Sequence, residues 1–357
     1  MPRAIWLDCD PGHDDAIAIL LALNSPEIKL LGISTVHGNT TPQNAWKNAL
    51  RLTYAFGTEG EPKPKVYAGA TKPLLRTPKV DAEIHGLDGL GGVEGLTDFR
   101  DPKVQRLAQE TEGKRAVEAI AAAVQETWKN GEGERVTLVT TGPQTNLALF
   151  LSVYVDLQPA IEEIVFMGGA VGVGNRGPLA EYNILCDPEA SQIVLDYPIP
   201  KVMIPINATH QVIFTKEMHY RLLAPDQSLP TPDVLPLKAA TPLRHTISTF
   251  LLFFADTYRS TFGFNEGPPL HDALTIAYIV HPELFRCKRY RVDVELSGTH
   301  ALGATVVDVW NYRTCDDTWG YQGKNCLVAE DVNVPGFFDY FLECIERCDK
   351  KTPLNIT

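Results

Sequence analysis

Four aspartates, Asp8, Asp10, Asp14 and Asp15, fall within eight residues of the stretch IWLDCDPGHDDAIAILLAL, between two apolar runs. The first run reads as a strand and the second as a helix from Asp14 to Leu23. Asp8 and Asp10 then stand at a strand's carboxyl end, and Asp14 and Asp15 in the helix's first turn. The helix dipole accounts for one or two of them as caps. It does not account for four, because like charges this close raise one another's pKa unless something positive sits among them. A hard divalent cation held by oxygens fits that need. The lack of paired His and Cys ligands speaks against zinc.

A calcium-like ion takes about six to eight oxygens, more than this stretch supplies. Other strand ends are candidates: Thr140–Thr141 in VTTGPQTN, His37 and Asn39 in VHGN, and His271 with Asp272 in GPPLHDA. Taken alone, Asp272 reads equally well as a helix N-cap, and His271 as an ordinary buried or surface histidine. A second dense segment, MGGAVGVGNRGPLAEYNILCDPEA, contains a G-x-G-x-x-G from Gly172 to Gly177 with Asp196 about twenty residues on. Pro178 follows at once and the next helix is expected only near Asp187, so the dinucleotide fingerprint lacks the helix it needs. What the segment offers is Asn175, Glu181 and Asn183, groups suited to holding several hydroxyls, although turn-forming residues look the same.

The 357 residues carry a formal charge of −12 with 44% hydrophobic and 21% charged residues, an ordinary globular composition. The acidic balance argues against a polymeric nucleic acid as partner, and no apolar run reaches membrane-span length. Residues 1–4 lead straight into the first strand, so no secretory leader is read. Seven scattered cysteines without a CxxC pair fit reduced thiols in the cytoplasm, with the nucleus as the alternative. A zinc site from Cys315, Cys326, Cys344 and Cys348 is disfavoured because structural zinc prefers close pairs.

Apolar strands alternate with helices up to about residue 210, which predicts an α/β fold. Its form is a doubly wound, mostly parallel sheet with helices on both faces, in a single domain. The domain is read as 1–350, with 351–357 as a C-terminal tail. Beyond residue 210 a proline-rich surface loop is expected over 225–242, then a long helix from about Arg244 to Ser260. RYRVDVEL and ATVVDVW are expected to complete the sheet, and GFFDYFLECIERC to form a last amphipathic helix. The glycine-dense HGLDGLGGVEG, from His85, reads as a mobile flap over a site.

In order along nearly the whole chain, DCDPGHDDAIAILLAL, HGN, IHGLDGLGG, TTGPQTNLA, FMGGAVGVGN, AEYNILCDPEA and GPPLHDA resemble the nucleoside hydrolases, the inosine–uridine-preferring N-ribohydrolases. The opening stretch is most like the fungal uridine nucleosidases. The resemblance implies hydrolysis of the N-glycosidic bond of ribonucleosides to ribose and free base, in nucleoside salvage. Uridine is the first expectation, with broad purine and pyrimidine use as the alternative and nicotinamide riboside as a further substrate. It implies one Ca²⁺ held by Asp10, Asp15, the Thr141 carbonyl and Asp272, activating the attacking water, with Asp10 as general base. Asp14, Asn175, Glu181 and Asn183 would grip the ribose, and Asn39 and Met167 would lie beside it. His85 would face the base and His271 would protonate it. A homodimer or homotetramer is implied as well. GTEGEPKPK and the proline-rich loop depart from the pattern and bear on base preference rather than on the chemistry.

That chemistry suits the residues. Glycoside cleavage passes through an oxocarbenium-like state, helped by an acid on the leaving group and a base on water, and fixed carboxylates favour the developing positive charge. Three competing readings remain at this point. A nucleoside phosphorylase needs a cationic phosphate cradle that none of these motifs provides. A DxD phosphatase would have to bring a phosphoester among repelling acids. A non-enzymatic ribose or calcium binder would release no base.

Overall fold

The computed structural model describes residues 2–225 and 238–356. Eight strands form the main sheet: β1 (Arg3–Cys9), β2 (Ile28–Thr35), β3 (Val66–Ala68), β4 (Val136–Thr140), β5 (Ile161–Met167), β6 (Lys201–Ile204), β7 (Phe285–Tyr290) and β10 (Cys326–Val332). Two more, β8 (Val292–Val294) and β9 (Thr305–Val307), make a separate antiparallel pair. The order is β3-β2-β1-β4-β5-β6-β10-β7, parallel throughout except for the final β10–β7 pairing. Strand order therefore reverses between β1 and β4, the switch point at which open α/β sheets bind ligands.

Side chains alternate between two covered faces. Ile5, Leu7, Val139 and Val165 enter the larger core, and Trp6, Leu138 and Ile164 enter the core on the opposite face. The helices are α1 (His13–Asn24), α2 (Pro42–Phe56), α3 (Ala82–His85), α4 (Pro102–Gln109), α5 (Ala116–Trp128), α6 (Thr145–Val153) and α7 (Tyr182–Cys186). They continue with α8 (Pro188–Asp196), α9 (Ile206–Thr209), α10 (Lys216–Leu223), α11 (Pro242–Phe262), α12 (Ala273–Val280) and α13 (Val334–Asp349). Helix α1 is buried almost all round, between α2, α12 and α13. Helices α5, α6 and α8 cover the other face. This is the expected doubly wound single domain.

The distal third differs from expectation. RYRVDVEL is divided: its start lies at the end of β7 in the main sheet, and Val292–Val294 pairs with β9 outside it. The place expected for ATVVDVW in the main sheet is taken by β10, whose Leu327 and Val328 pair with Val202 and Met203. A buried Arg291 at the junction donates to the carbonyls of Gly320 and Tyr321 and pairs with Asp293, which holds the outer hairpin away from the sheet. Most of the proline-rich stretch, 226–237, lies outside the described residues. The chain's end packs on the body, with Thr352 Oγ1 donating to the Ala55 carbonyl and Asn355 Oδ1 accepting from the Leu243 amide. No helix among the described residues is long and apolar enough to cross a membrane.

Candidate active site

The site is assembled at the carboxyl ends of β1, β2, β4 and β5 and the amino ends of α1 and α12. Gly12 and Pro11 turn the chain out of β1, so Asp14 and Asp15 enter the first turn of α1. Asp15 does act as a cap, accepting from the Gly12 amide at 3.0 Å, and it also accepts from Thr141 Oγ1 at 2.7 Å and Asn39 Nδ2 at 3.1 Å. Asp272 occupies the N-cap position of α12 but makes no capping bond. Its carboxylate turns toward α1 instead, and Asp14, Asp15 and Asp272 each present an oxygen within 4.8 Å of the others, all three buried.

Asp8 and Asp10 have separate surroundings. Asp8 is enclosed, accepting from Ser34 Oγ and from Asn146 Nδ2, so it ties β1 to β2 and α6 behind the site. Asp10 sits in a slot between two glycines. A Cβ on Gly38 would lie 1.8 Å from its Oδ2 and one on Gly142 would lie 2.3 Å from its Oδ1. The Asn39 amide donates to Oδ2 at 2.8 Å, and Oδ1 is buried without a partner. Asp10 adjoins the three-carboxylate set without belonging to it.

The electrostatics call for a cation. Burial, with the neighbouring carboxylates, pushes Asp10 and Asp272 well above the usual carboxylate range and Asp14 up to about 8. The charges bearing most on Asp272 are those of Asp14, Asp15 and Asp10. Asp10 Oδ1 and Asp14 Oδ1 are buried and unpartnered, which is costly unless something positive or a proton satisfies them. Hard oxygens with no nitrogen or sulfur among them fit an alkaline-earth ion. The Thr141 carbonyl, which accepts from Asn183 Nδ2 at 2.8 Å, keeps a second lone pair. Among the described residues no cysteine group of metal-binding geometry occurs; Cys326, Cys344 and Cys348 are buried and free.

Above these acids opens a cleft lined among others by Asp14, Asn39, His85, Met167, Asn175, Glu181, Asn183, His271 and Asp272. The structure thus brings together at one cleft every residue expected to contact substrate. The G-x-G-x-x-G segment folds back on itself, with the Asn175 and Arg176 amides donating to the Ala180 carbonyl. The dinucleotide geometry is absent, and the first helix after it is α7, earlier than the one expected near Asp187. Glu181 is the N-cap of α7, accepting from the amides of Asn183, Ile184 and Gly169. Burial still pushes its carboxyl up to about 7. Asn183 Nδ2 approaches Met167 Sδ at 3.4 Å, and Asn175 Oδ1 accepts from the Tyr182 amide at 3.0 Å.

One wall is aromatic. His271 is buried, its Nδ1 is 2.7 Å from Thr209 Oγ1, and its Nε2 is 2.7 Å from the Tyr258 hydroxyl. Thr209 Oγ1 in turn reaches the Ile206 carbonyl. The consistent proton arrangement has Nδ1–H donating to Thr209 and Nε2 accepting from Tyr258. Burial, with His210 nearby, holds His271 well below the usual histidine range, so it is neutral. His85, at the end of α3, has its Nδ1 3.2 Å from that of His13 and stacks on Phe254. The glycine-rich segment after it is anchored, by His13 Nε2 on the Gly91 carbonyl and Asn48 Nδ2 on the Asp88 carbonyl.

Six cleft residues are not singled out by the sequence: Asp81, Ile84, Arg176, Tyr182, Tyr258 and Phe262. Arg176 and Tyr182 lie inside the second dense segment, beside the residues that drew notice there, and the other four belong to no polar group that spacing would mark. Tyr258 carried one signal, its place on the inner face of a long helix one turn from Phe254, the same spacing that marks a core residue.

Residues 5–339 match the family profile described as inosine-uridine preferring nucleoside hydrolase. A probable ribonucleoside hydrolase of Dictyostelium discoideum is 36% identical over 345 residues, 96% of this chain and 94% of that protein. A pyrimidine-specific ribonucleoside hydrolase, RihA, of Shewanella woodyi is 38% identical over 350 residues, 97% and 99% of the two chains. Among solved structures, the purine-preferring ribonucleoside hydrolase from Gardnerella vaginalis aligns with a TM-score of 0.80 at 29% identity, covering 98% of this chain and 99% of that one. Sheet order, acid-lined cleft and full-length similarity agree: the chain belongs to the inosine–uridine-preferring nucleoside hydrolases and is an enzyme that hydrolyses the N-glycosidic bond of ribonucleosides.

Proposed function

We propose that the enzyme cleaves uridine in preference to purine nucleosides. Its cation is Ca²⁺, with Asp10, Asp15, the Thr141 carbonyl and Asp272 as ligands. The preference rests on the 38% identity to a relative named pyrimidine-specific, against 29% to one named purine-preferring. Broad use of both base classes is the second reading. The observation that carries the site assignment is the set of buried, unpartnered carboxylate oxygens beside a cleft lined with amides and carboxylates.

When bound, the cation neutralises these acids and lowers the pKa of a coordinated water. Asp10 Oδ1, without a partner of its own, accepts the proton of the attacking water, while the Asn39 amide fixes Oδ2. Asp14, Asn175, Glu181 and Asn183 orient the ribose hydroxyls, with Asn39 and Met167 beside the sugar, and the carboxylates of Asp14 and Glu181 favour the oxocarbenium-like state. His85 faces the base. The leaving base is protonated from the His271 side of the cleft, where the Tyr258 hydroxyl stands on Nε2. A homodimer or homotetramer, located in the cytoplasm or nucleus where its free cysteines stay reduced, completes the reading.

The test is product analysis. The calcium-loaded protein incubated with uridine is expected to release uracil and ribose in equal amounts without phosphate. Asp10→Asn is expected to be slower by about 10³-fold, within the span general bases contribute. Unchanged turnover in Asp10→Asn would refute the base assignment, and cleavage that depends on phosphate would refute hydrolysis.

A further inference from the structure

Three segments distant in sequence meet across the cleft at one side chain, that of Arg176. Asp81 holds the N-cap position of α3, where a carboxylate ordinarily accepts from its own helix's amides. Here it makes no such bond. Both its oxygens go to Arg176, with Nη2 at 2.5 and 2.7 Å and Nε at 3.2 Å. The guanidinium carbon stands 5.2 Å from the centroid of Phe262, the last residue of α11, and Nη1 lies 3.6 Å from Glu83. The Asp81 amide donates to the Asn39 carbonyl at 3.1 Å. The two charged side chains are only 19% and 11% exposed, so the fork-shaped pair is largely shielded from water and salt.

The geometry gives this contact a task. Helix α3 is a single turn, too short to hold its own position, and it carries His85. Arg176 follows Asn175 directly and is fixed at the backbone by Ala180. Arg176, Asp81 and Phe262 all line the cleft. We infer that Arg176 is a positioning residue. Its clasp on Asp81 sets the distance between the His85 helix and the Asn175 loop, and so the placement of a nucleoside held between them. The inference rests on the nucleoside reading of the cleft and adds to it a residue that acts through its neighbours.

Wild type, Arg176→Met, Asp81→Asn, the double variant and Arg176→Lys are compared by amide hydrogen exchange, by uridine kinetics and by Ca²⁺ titration. In Arg176→Met, exchange is expected to quicken over 82–95 and 172–181 while the central strands stay protected. Its kcat/KM is expected to fall at least tenfold, mainly through KM, with Ca²⁺ affinity within twofold of wild type. Asp81→Asn should match it, and the double variant should be no worse than either single. Arg176→Lys, which keeps the charge but loses the fork, should be intermediate. Unchanged exchange in Arg176→Met, unchanged KM, or losses that multiply in the double variant would overturn the inference. If wild type releases no base from any nucleoside, the substrate reading fails while the exchange data still decide the clasp.

Discussion

Neutralising one acid of the buried cluster should move metal affinity and metal-free stability in opposite directions. Asp272 presents an oxygen within 4.8 Å of those of Asp14 and Asp15. At an effective dielectric of about 20, each fully ionised pair at that separation repels by about 3 kcal/mol. Asp272→Asn removes two such pairs and also one anionic ligand. With Ca²⁺ bound, the variant should lose about 3 kcal/mol of metal affinity or more, a hundredfold or greater rise in Kd. In chelator at pH 8 it should be the more stable protein. The gain is smaller than the full repulsion because the native cluster retains protons: Asp14 is pushed up to about 8 and Asp272 well above its usual range.

The sign follows from linkage. Carboxyls raised in the folded state bind more protons there than in the unfolded chain, so their contribution is complete below about pH 4 and is lost as pH rises through the folded value. The stripped native protein should therefore lose stability from about pH 4 to 8, and Asp272→Asn should do so less steeply. Unfolding entropy scaled to 357 residues makes 1 kcal/mol worth about 1.3 °C. Scanning calorimetry with chelator at pH 8 should then show Asp272→Asn melting a few degrees above native, and with Ca²⁺ present a few degrees below. A variant that melts lower in both buffers would refute the uncompensated-acid reasoning.

Gly38→Ala places a Cβ on the Asp10 carboxylate; uridine turnover should fall at least a hundredfold with circular dichroism unchanged. Lys201 is buried with its amine on the Ile199 carbonyl at 2.8 Å, and burial lowers it to about 7. The unfolded chain binds the extra proton between about pH 7 and 10, so Lys201→Met should gain most over native near pH 7, and denaturant melts at pH 7 and 10 should show that gain shrinking. Phe341 is fully buried against Phe214, Phe337 and Phe338; Phe341→Ala should cost about 3–5 kcal/mol, a drop of several degrees in Tm, while kcat at 25 °C is retained.

The parallel strands were legible because each is apolar on both faces, and the acids were legible because no local cap could absorb all of them. Glu181 and Asp15 show the limit of that logic. Each does cap a helix and also stands at the site, so the local and functional readings were not alternatives. The distal strands were misplaced because pairing is a non-local choice. CLVAEDV joins the sheet beside β6, and the more regular run at Val292–Val294 pairs outside it, held there by Arg291. Arg176 and Asp81 could not be found by spacing, since they lie ninety-five positions apart and meet only after folding.

The central claim, that one divalent cation on these aspartates enables nucleoside hydrolysis, is tested most directly by titrating Ca²⁺ into chelator-stripped protein while following uracil release from uridine at each step. One ion bound per chain, with activity rising in proportion to occupancy, is the predicted result. Full activity in the stripped protein, or no calcium binding at all, would contradict it.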